Sequence, residues 1–331
     1  MPRSGEASSE PNSDLVVAFE RSAERLARAR AQLIEVSFGR EGLAELALAA
    51  AVAGGWAMMV GPPGGGKTAL AENLASTLGL TLGRHTFTPD SEIATLFDTS
   101  QSRRLGTVGS PHRGLSGPML RQMFLAEDLD RARPRVRAAV LEAAHEGVIE
   151  HEGARISLPR PFHLLASSTQ EGVVSFDETE ADRFLMHIPL PAPDREVERR
   201  LLVETASGSR SAVSAVMRPD ELVEAQRVAV ELPVGEKVVE VILDTVRRAR
   251  PEDPSAPSSV RDLVARGPGP RAGQALMRLS RALALIDGRP SPSVADVRRL
   301  IAPVIQHRLV MTRAAAGRSA EALRALIETQ T

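Results

Sequence analysis

Gly61-Pro-Pro-Gly-Gly-Gly-Lys67-Thr68 decides how this chain is read. The stretch fits the pattern G-x-x-x-x-G-K-[ST] without a mismatch. Before it, Trp56-Ala-Met-Met-Val60 is a short apolar run with the character of a buried strand. After it, Ala69-Leu-Ala-Glu-Asn-Leu-Ala-Ser-Thr-Leu78 spaces its apolar residues as a helix does. Strand, glycine loop and helix together are the context in which this pattern holds phosphate. Glycines let the backbone wrap closely, so successive N–H groups point at phosphate oxygens. The helix N-terminus adds a partial positive charge. Lys67 can reach the β- and γ-phosphates, and the Thr68 hydroxyl can ligate Mg²⁺. The phosphate-holding set is therefore Gly61, Pro62, Pro63, Gly64, Gly65, Gly66, Lys67, Thr68 and Ala69, with ATP and Mg²⁺ as the expected cofactors.

At 331 residues the chain has room for one large domain or two ordinary ones. The formal net charge of −1 gives no global pull toward nucleic acid or an anionic membrane. There is no cysteine, which excludes disulfides, thiolate metal sites and cysteine nucleophiles. That composition suits the cytoplasm. Met1 to Ser13 is polar, lacks the apolar core of a signal peptide, and is expected to be a disordered lead-in. The longest apolar run, Leu43 to Val60, carries Glu45 and is broken at Gly54-Gly55. It reads as a buried helix, a turn and a strand, and no membrane span is expected. His145, His151, His163, His187 and His307 show no metal-ligand spacing.

Outward from the loop, Asp14 to about Val36 and a stretch ending near Ala53 read as helices. His85 to Thr88 reads as a strand closed by Pro89, and Thr99 to Pro118 as a loop or small hairpin insertion. Met119 to Ala126 reads as a strand, Arg135 to Glu146 as a helix, and Val148 to Ile156 as a hairpin turning at Glu152-Gly153. Pro161 to Ser168 and Met186 to Leu190 are further strands. Alternating strands and helices predict an α/β fold with a three-layer parallel sheet. From Arg195 onward only helical patterns recur, at Glu196–Thr205, Asp220–Val230, Lys237–Arg248, Gln274–Asp287 and Val294–Leu309. The expected division is a tail at 1–13, an α/β nucleotide-binding domain at 14–194 and a smaller all-α domain at 195–331.

Hydrolysis needs an acid for Mg²⁺ at the end of a neighbouring strand, and a group to orient or deprotonate water. Glu127 and Asp128 directly follow the apolar run Met123-Phe-Leu-Ala126. Arg183 precedes the last strand, and Arg271 opens a helix of the second domain. Each has the fixed charge that stabilises a transferring phosphoryl group, although on sequence alone the reading as a surface arginine prevails.

The assembled motifs resemble those of the MoxR family of AAA+ ATPases, from about Val36 to Leu309. Phe38-Gly39-Arg40-Glu41 stands where that family has a Gly-Gln-Glu element, with Arg for Gln. Thr88-Pro89-Asp90, Gly117-Pro118, Leu125-Ala-Glu-Asp-Leu-Asp-Arg-Ala-Arg-Pro134, Leu141-Glu142-Ala-Ala-His-Glu146 and Ala181-Asp-Arg-Phe184 resemble its further motifs. In the second domain, Gly267 to Ala272, Gly288-Arg289, Asp296-Val297 and His307-Arg308-Leu309 do the same. The resemblance implies a P-loop domain followed by an all-α lid. It places Thr68 and Glu127 at the metal position and Asp128 at the water-activating position. Thr169 takes the sensor-1 position, Arg183 that of an arginine finger offered across a subunit interface, and Arg271 that of the sensor-2 arginine. Phe38 and Gly39 join the nucleotide site. Val148 to Ile156 would be the pre-sensor-1 insert, and Thr88 to Thr107 the helix-2 insert region. It further implies a hexameric ring that remodels, activates or matures a partner complex, with a von Willebrand factor A domain protein as partner.

Two departures bear on the chemistry. The acids run Glu-Asp where the family has Asp-Glu, which moves each carboxylate by about 1.5 Å. Ala166-Ser-Ser-Thr-Gln170 puts Thr169 where the family has asparagine, a shorter donor. The expectation is a MoxR-type ATPase with slow hydrolysis. The alternative is a hydrolysis-deficient, ATP-gated assembly module. A DNA translocase is disfavoured by the near-neutral charge and the few aromatic residues.

Overall fold

The computed structural model describes residues 11–37, 39–97, 117–151, 154–206 and 213–328. Phe38, the Glu152-Gly153 turn, residues 1–10 of the expected tail and most of the Thr99–Pro118 insertion lie outside them, as does the end of the Thr88–Thr107 region. Around the phosphate loop, β1 (Ala57–Val60), β2 (Leu82–Thr86), β3 (Met123–Glu127), β6 (His163–Ser168) and β7 (Met186–Pro189) form a five-stranded sheet in the order β2-β3-β6-β1-β7. Every pairing in it is parallel. Strands covered on both faces read as unbroken apolar runs, which is why β1, β3 and β6 stand out in the sequence.

Side-chain alternation then splits each strand between two cores. Met58, Val60, Phe124, Ala126, Leu164 and Ala166 face one layer. It is built from α4 (Pro134–Glu146), α5 (Glu178–Arg183) and the antiparallel hairpin of β4 (Val148–His151) and β5 (Ala154–Ser157). Ala57, Met59, Met123, Leu125 and Leu165 face the other. There α1 (Pro11–Val36), α2 (Glu41–Val52) and α3 (Lys67–Thr77) cover the sheet.

Two strands differ from expectation. β2 runs from Leu82 to Thr86 rather than from His85 to Thr88. Gly83 and Arg84 hide it from an apolar search, and Gly83 is needed because a Cβ there would lie 1.8 Å from the Pro118 carbonyl. β3 begins at Met123, since Pro118–Leu120 winds into a short 3₁₀ turn.

Beyond β7 the chain is helical: α6 (Arg195–Ala206), α7 (Pro219–Glu231), α8 (Glu236–Arg248), α9 (Ser258–Leu263), α10 (Pro270–Ile286), α11 (Val294–Ile305) and α12 (Ser319–Glu328). One short antiparallel pair, β8 (Val264–Arg266) with β9 (Val310–Met311), is an addition to the all-α expectation. α10 is the lid's central helix, and its apolar stripe Leu276, Leu279, Leu283 and Ile286 is buried. The lid and the sheet share one continuous apolar cluster. α1 lies against the lid as well as α2, with Arg25 pairing to Glu221 at 3.0 Å and Gln32 donating to the Ser214 carbonyl at 2.7 Å. At the joint below β7, the His187 and His307 rings stack 4.0 Å apart. Buried Arg308 there donates to Asp182 Oδ1 at 2.8 Å and to the Phe184 carbonyl at 2.7 Å.

Candidate nucleotide site

The loop leaves the C-terminal end of β1 and turns directly into α3. Its Gly61 N–H donates to the Ser168 carbonyl at 3.1 Å, fixing its base to β6. A Cβ at Gly61 would stand 2.0 Å from the Leu190 carbonyl, so only glycine fits. Gly66 caps α3 at φ 81°, a left-handed conformation that side chains other than glycine disfavour. Among the described residues no side chain caps this terminus, which leaves its first N–H groups to meet an anion. Lys67 Nζ folds back on the loop, donating to the carbonyls of Gly61 at 2.7 Å and Pro62 at 2.9 Å. Burial lowers the Lys67 pKa against the opposing pull of Asp128, Asp130 and Glu127.

Glu127 is the last residue of β3 and is buried. Its Oε1 accepts from Thr68 Oγ1 at 2.5 Å. Its Oε2 accepts from Arg84 Nε at 2.5 Å and from Thr86 Oγ1 at 2.8 Å. Burial alone would raise its pKa, but the bonds from Thr68, Arg84 and Thr86 prevail and hold it below the ordinary carboxylate value. The Thr68 and Glu127 oxygens fit a Mg²⁺ site: a hydroxyl and a carboxylate are the hard donors that ion takes. Their separation lies within a few tenths of an ångström of the edge, roughly 2.9 Å, of an octahedron with bonds of about 2.05 Å.

Asp128 follows in the left-handed region, φ 51° and ψ 44°, the one non-glycine residue there among those described. Its N–H donates to Ser167 Oγ at 3.1 Å. Aspartate tolerates this conformation better than most residues. Thr169 follows β6, which lies between β3 and β1 and so sets it between the acids and the loop. Its Oγ1 accepts from the Gly172 N–H at 2.9 Å, and the hydroxyl hydrogen is still available for donation.

Arg84, Thr86 and Asp130 belong to this neighbourhood and escaped the sequence reading. Thr86 is the direct cross-strand partner of Glu127, and Arg84 lies two residues back on the same face of β2. Asp130 Oδ1 is buried without a partner among the described residues. Once β2 is known to start at Leu82, this period-2 pairing is the signal that would have found Arg84 and Thr86.

Beside the loop a cleft of 530 Å³ opens between Gly39, Leu43, Gly61 and Leu190. Gly39 lies in its wall, next to Phe38, which is outside the described residues. Arg40 donates to the Gly65 carbonyl and, at 3.4 Å, to that of Pro191.

Arg183 and Arg271 are elsewhere. Both line a cleft of 580 Å³ together with Gly54, Trp56, Phe162 and Leu185, which precede β1, β6 and β7. In a parallel sheet that is the N-terminal edge, opposite the phosphate loop. Arg160, Arg278 and Arg308 line the same cleft, against Glu146 and Asp182 as the acids among the described residues. Arg271, 56% exposed, pairs with Asp182 at 3.3 Å. The site residues thus fall into two groups. Gly61 to Ala69, Gly39, Glu127, Asp128 and Thr169 gather at one edge of the sheet, and Arg183 and Arg271 at the other.

Residues 56–186 match the family model described as ATPase family associated with various cellular activities (AAA), and residues 258–328 match that of the AAA lid domain. Chaperone MoxR1 of Mycobacterium tuberculosis is 29% identical over 291 residues, covering 87% of this chain and 76% of that protein. Protein MoxR of Paracoccus denitrificans is 27% identical over 326 residues, covering 92% and 94%. The chain belongs to the MoxR family of AAA+ ATPases. A crystal structure of a putative ATPase from Cytophaga hutchinsonii superposes with a TM-score of 0.85 over 96% of this chain and 98% of that one, at 20% identity, which shows a common fold. As a member of this family the MoxR-type chain is a nucleotide-binding protein. Among its described residues, no helix is long and apolar enough to cross a membrane.

Proposed function

We propose that this chain is a ring-forming ATPase that couples ATP binding and slow hydrolysis to remodelling, activating or maturing a partner protein complex. The observation that carries the reading is the separation of phosphate loop and arginines onto opposite edges of one sheet. They meet only if one subunit offers its arginine edge to the loop edge of the next. That contact is head-to-tail, and its repetition forms a ring where the rotation between neighbours closes. A hexamer follows by likeness to the family, as do a von Willebrand factor A domain partner, a client complex and a cytoplasmic setting.

Within one site, the loop N–H groups, the α3 N-terminus and Lys67 hold the phosphates. Thr68 and Glu127 hold Mg²⁺, which when bound neutralises phosphate charge. Asp128, at the strand end and half-exposed, takes the water-activating position, and Thr169 donates to the same water. Arg183 and Arg271 of the neighbouring subunit stabilise charge on the transferring phosphoryl group. The Asp182 contact keeps Arg271 near Arg183 until a neighbour docks.

A second reading is supported by the acids themselves: Glu127 accepts three hydrogen bonds from its own chain, and Asp128 is one methylene shorter than the family's base. On that reading ATP fixes ring assembly or partner docking, and hydrolysis is lost. ATP turnover across a protein concentration series, with Lys67→Ala as the blank, decides. Turnover above the blank that rises with concentration supports the ring motor. Tight ATP binding without turnover removes it in favour of the gated module.

A further inference from the structure

Glu127 is the acid that the proposed function assigns to Mg²⁺, and a role for its neighbour Arg84 rests on that reading. A carboxylate offers about four acceptor sites. Thr68, Thr86 and Arg84 already engage Glu127. Two of these donors are neutral hydroxyls; the third is a guanidinium whose charge cannot be titrated away. The contact is fixed by register, since Thr86 lies directly across from Glu127 and Arg84 leaves β2 on the same face. The two partners differ in freedom. Glu127 is buried at the end of a central strand, whereas the Arg84 side chain is 51% exposed. Arg84 also has a second acid within reach, Glu72 of α3 at 3.9 Å. It can therefore leave Glu127 for Glu72 and water while Glu127 keeps its bonds from Thr68 and Thr86.

We propose that Arg84 is a resident counter-cation for Glu127 that competes with Mg²⁺. With Arg84 in place, the acid is charge-compensated and hydrogen-bonded in the absence of metal. Arg84 must release Oε2, or share it, before Glu127 can serve a metal fully. The positive charge that Arg84 keeps nearby opposes a second cation at the same carboxylate. Nucleotide is thereby admitted without metal, and the Mg²⁺ requirement moves to higher concentration. An arginine that merely oriented the carboxylate would do the reverse, because outer-shell partners of a ligand raise metal affinity. The two roles differ in sign.

The experiment uses the full chain and a fluorescent ADP analogue, first titrated in EDTA and then with Mg²⁺ at fixed nucleotide. Arg84→Met keeps the apolar stem against the strand and removes the charge; Arg84→Gln is the second variant should the first fail to fold. Either is expected to lower the half-saturating Mg²⁺ concentration about tenfold, or about 1.4 kcal/mol. Either should also weaken metal-free nucleotide binding, since Glu127 is then uncompensated beside the phosphates. Arg84→Lys should stay close to the unmodified protein. An unchanged or raised half-saturation, with nucleotide still bound, overturns the competition and leaves the proposed function standing. Absence of nucleotide binding by the unmodified protein at every Mg²⁺ concentration overturns both.

Discussion

Mixing two inactive variants tests the composite site directly. β1 is four residues long, so the sheet alone puts about 13 Å between the loop edge and the arginine edge at about 3.3 Å per residue. An extended arginine side chain spans only about 7 Å from its Cα. Arg183 therefore cannot serve the loop of its own chain without unfolding the sheet. Lys67→Ala removes the loop cation but leaves the arginine edge intact. Arg183→Ala removes the finger but leaves the loop intact, and is expected to cost about 10³-fold or more in turnover. After subunit exchange at equal amounts, half of the subunits keep a working loop, and half of those face a neighbour with a working arginine. About one quarter of all interfaces are then complete, whatever the ring size. The mixture should recover about one quarter of the unmodified ATP turnover at equal total protein, from two parents near zero. The assay is steady-state phosphate release after incubation long enough for exchange, with exchange followed independently by fluorescence transfer between labelled subunits. Exchange without recovery, with the mixture at the mean of its parents, would refute the trans arrangement.

Lengthening the base alone, Asp128→Glu, should raise kcat about tenfold or more, because misplacement of a reacting group by about an ångström can cost on the order of a hundredfold; steady-state turnover with nucleotide affinity measured alongside is the check. Burial lowers His163 to about 4 and His187 to about 3, and pushes His307 well below its ordinary value. Above pH ~6.5 these rings are neutral folded or unfolded, so they add no pH dependence; below it the unfolded chain alone takes up protons, and stability falls until the folded values are reached. At pH 5.5 each ring contributes a loss on the order of 1 kcal/mol, a few kcal/mol together, and urea midpoints that do not move between pH 8 and pH 5.5 would contradict it. Arg137 forms a buried pair with Glu180 at 2.9 Å and lies over the Phe176 ring. Arg137→Ala should destabilise by about 3–5 kcal/mol in urea unfolding, because it strands the Glu180 charge.

The phosphate loop, β1, α3 and the acid-ending strand were legible because each rests on local signals: glycine spacing, a doubly buried apolar run, and an apolar stripe at helical period. β2 was misplaced because Gly83 and Arg84 interrupt its apolar alternation for reasons that lie outside the strand. Gly83 is there for the Pro118 backbone, and Arg84 for a carboxylate on the next strand. Arg84 and Thr86 were therefore invisible as site residues, since their meaning depends on which strand lies beside them. Five of the lid helices were legible by period, but α9 (six residues) and α12 went unread, and two- and three-residue strands such as β9 and β8 have no period to detect. Arg183 and Arg271 were found as residues, and their separation from the loop was not. That fact depends on strand direction and on where the chain re-enters the sheet, which no local pattern encodes.

The reversed acids are easier to understand once their surroundings are compared. Environment, more than residue type, assigns roles to paired carboxylates. Glu127 is buried, bonded to three donors and held in its charged form, which suits an anchor better than a base. Asp128 is half-exposed, and among the described residues its carboxylate accepts no hydrogen bond, which leaves it open to water. On the proposed function, the division of labour is that of the family's pair, with the residue types exchanged. The backbone favours this order as well. Position 128 is left-handed, where aspartate is better tolerated than glutamate, and the longer side chain at 127 closes the contact to Thr68. What the exchange alters is reach: the base stops one methylene, about 1.5 Å, short. The site thus keeps its anchor and its binding geometry and loses proximity at a single group, a combination that predicts firm nucleotide binding joined to slow turnover.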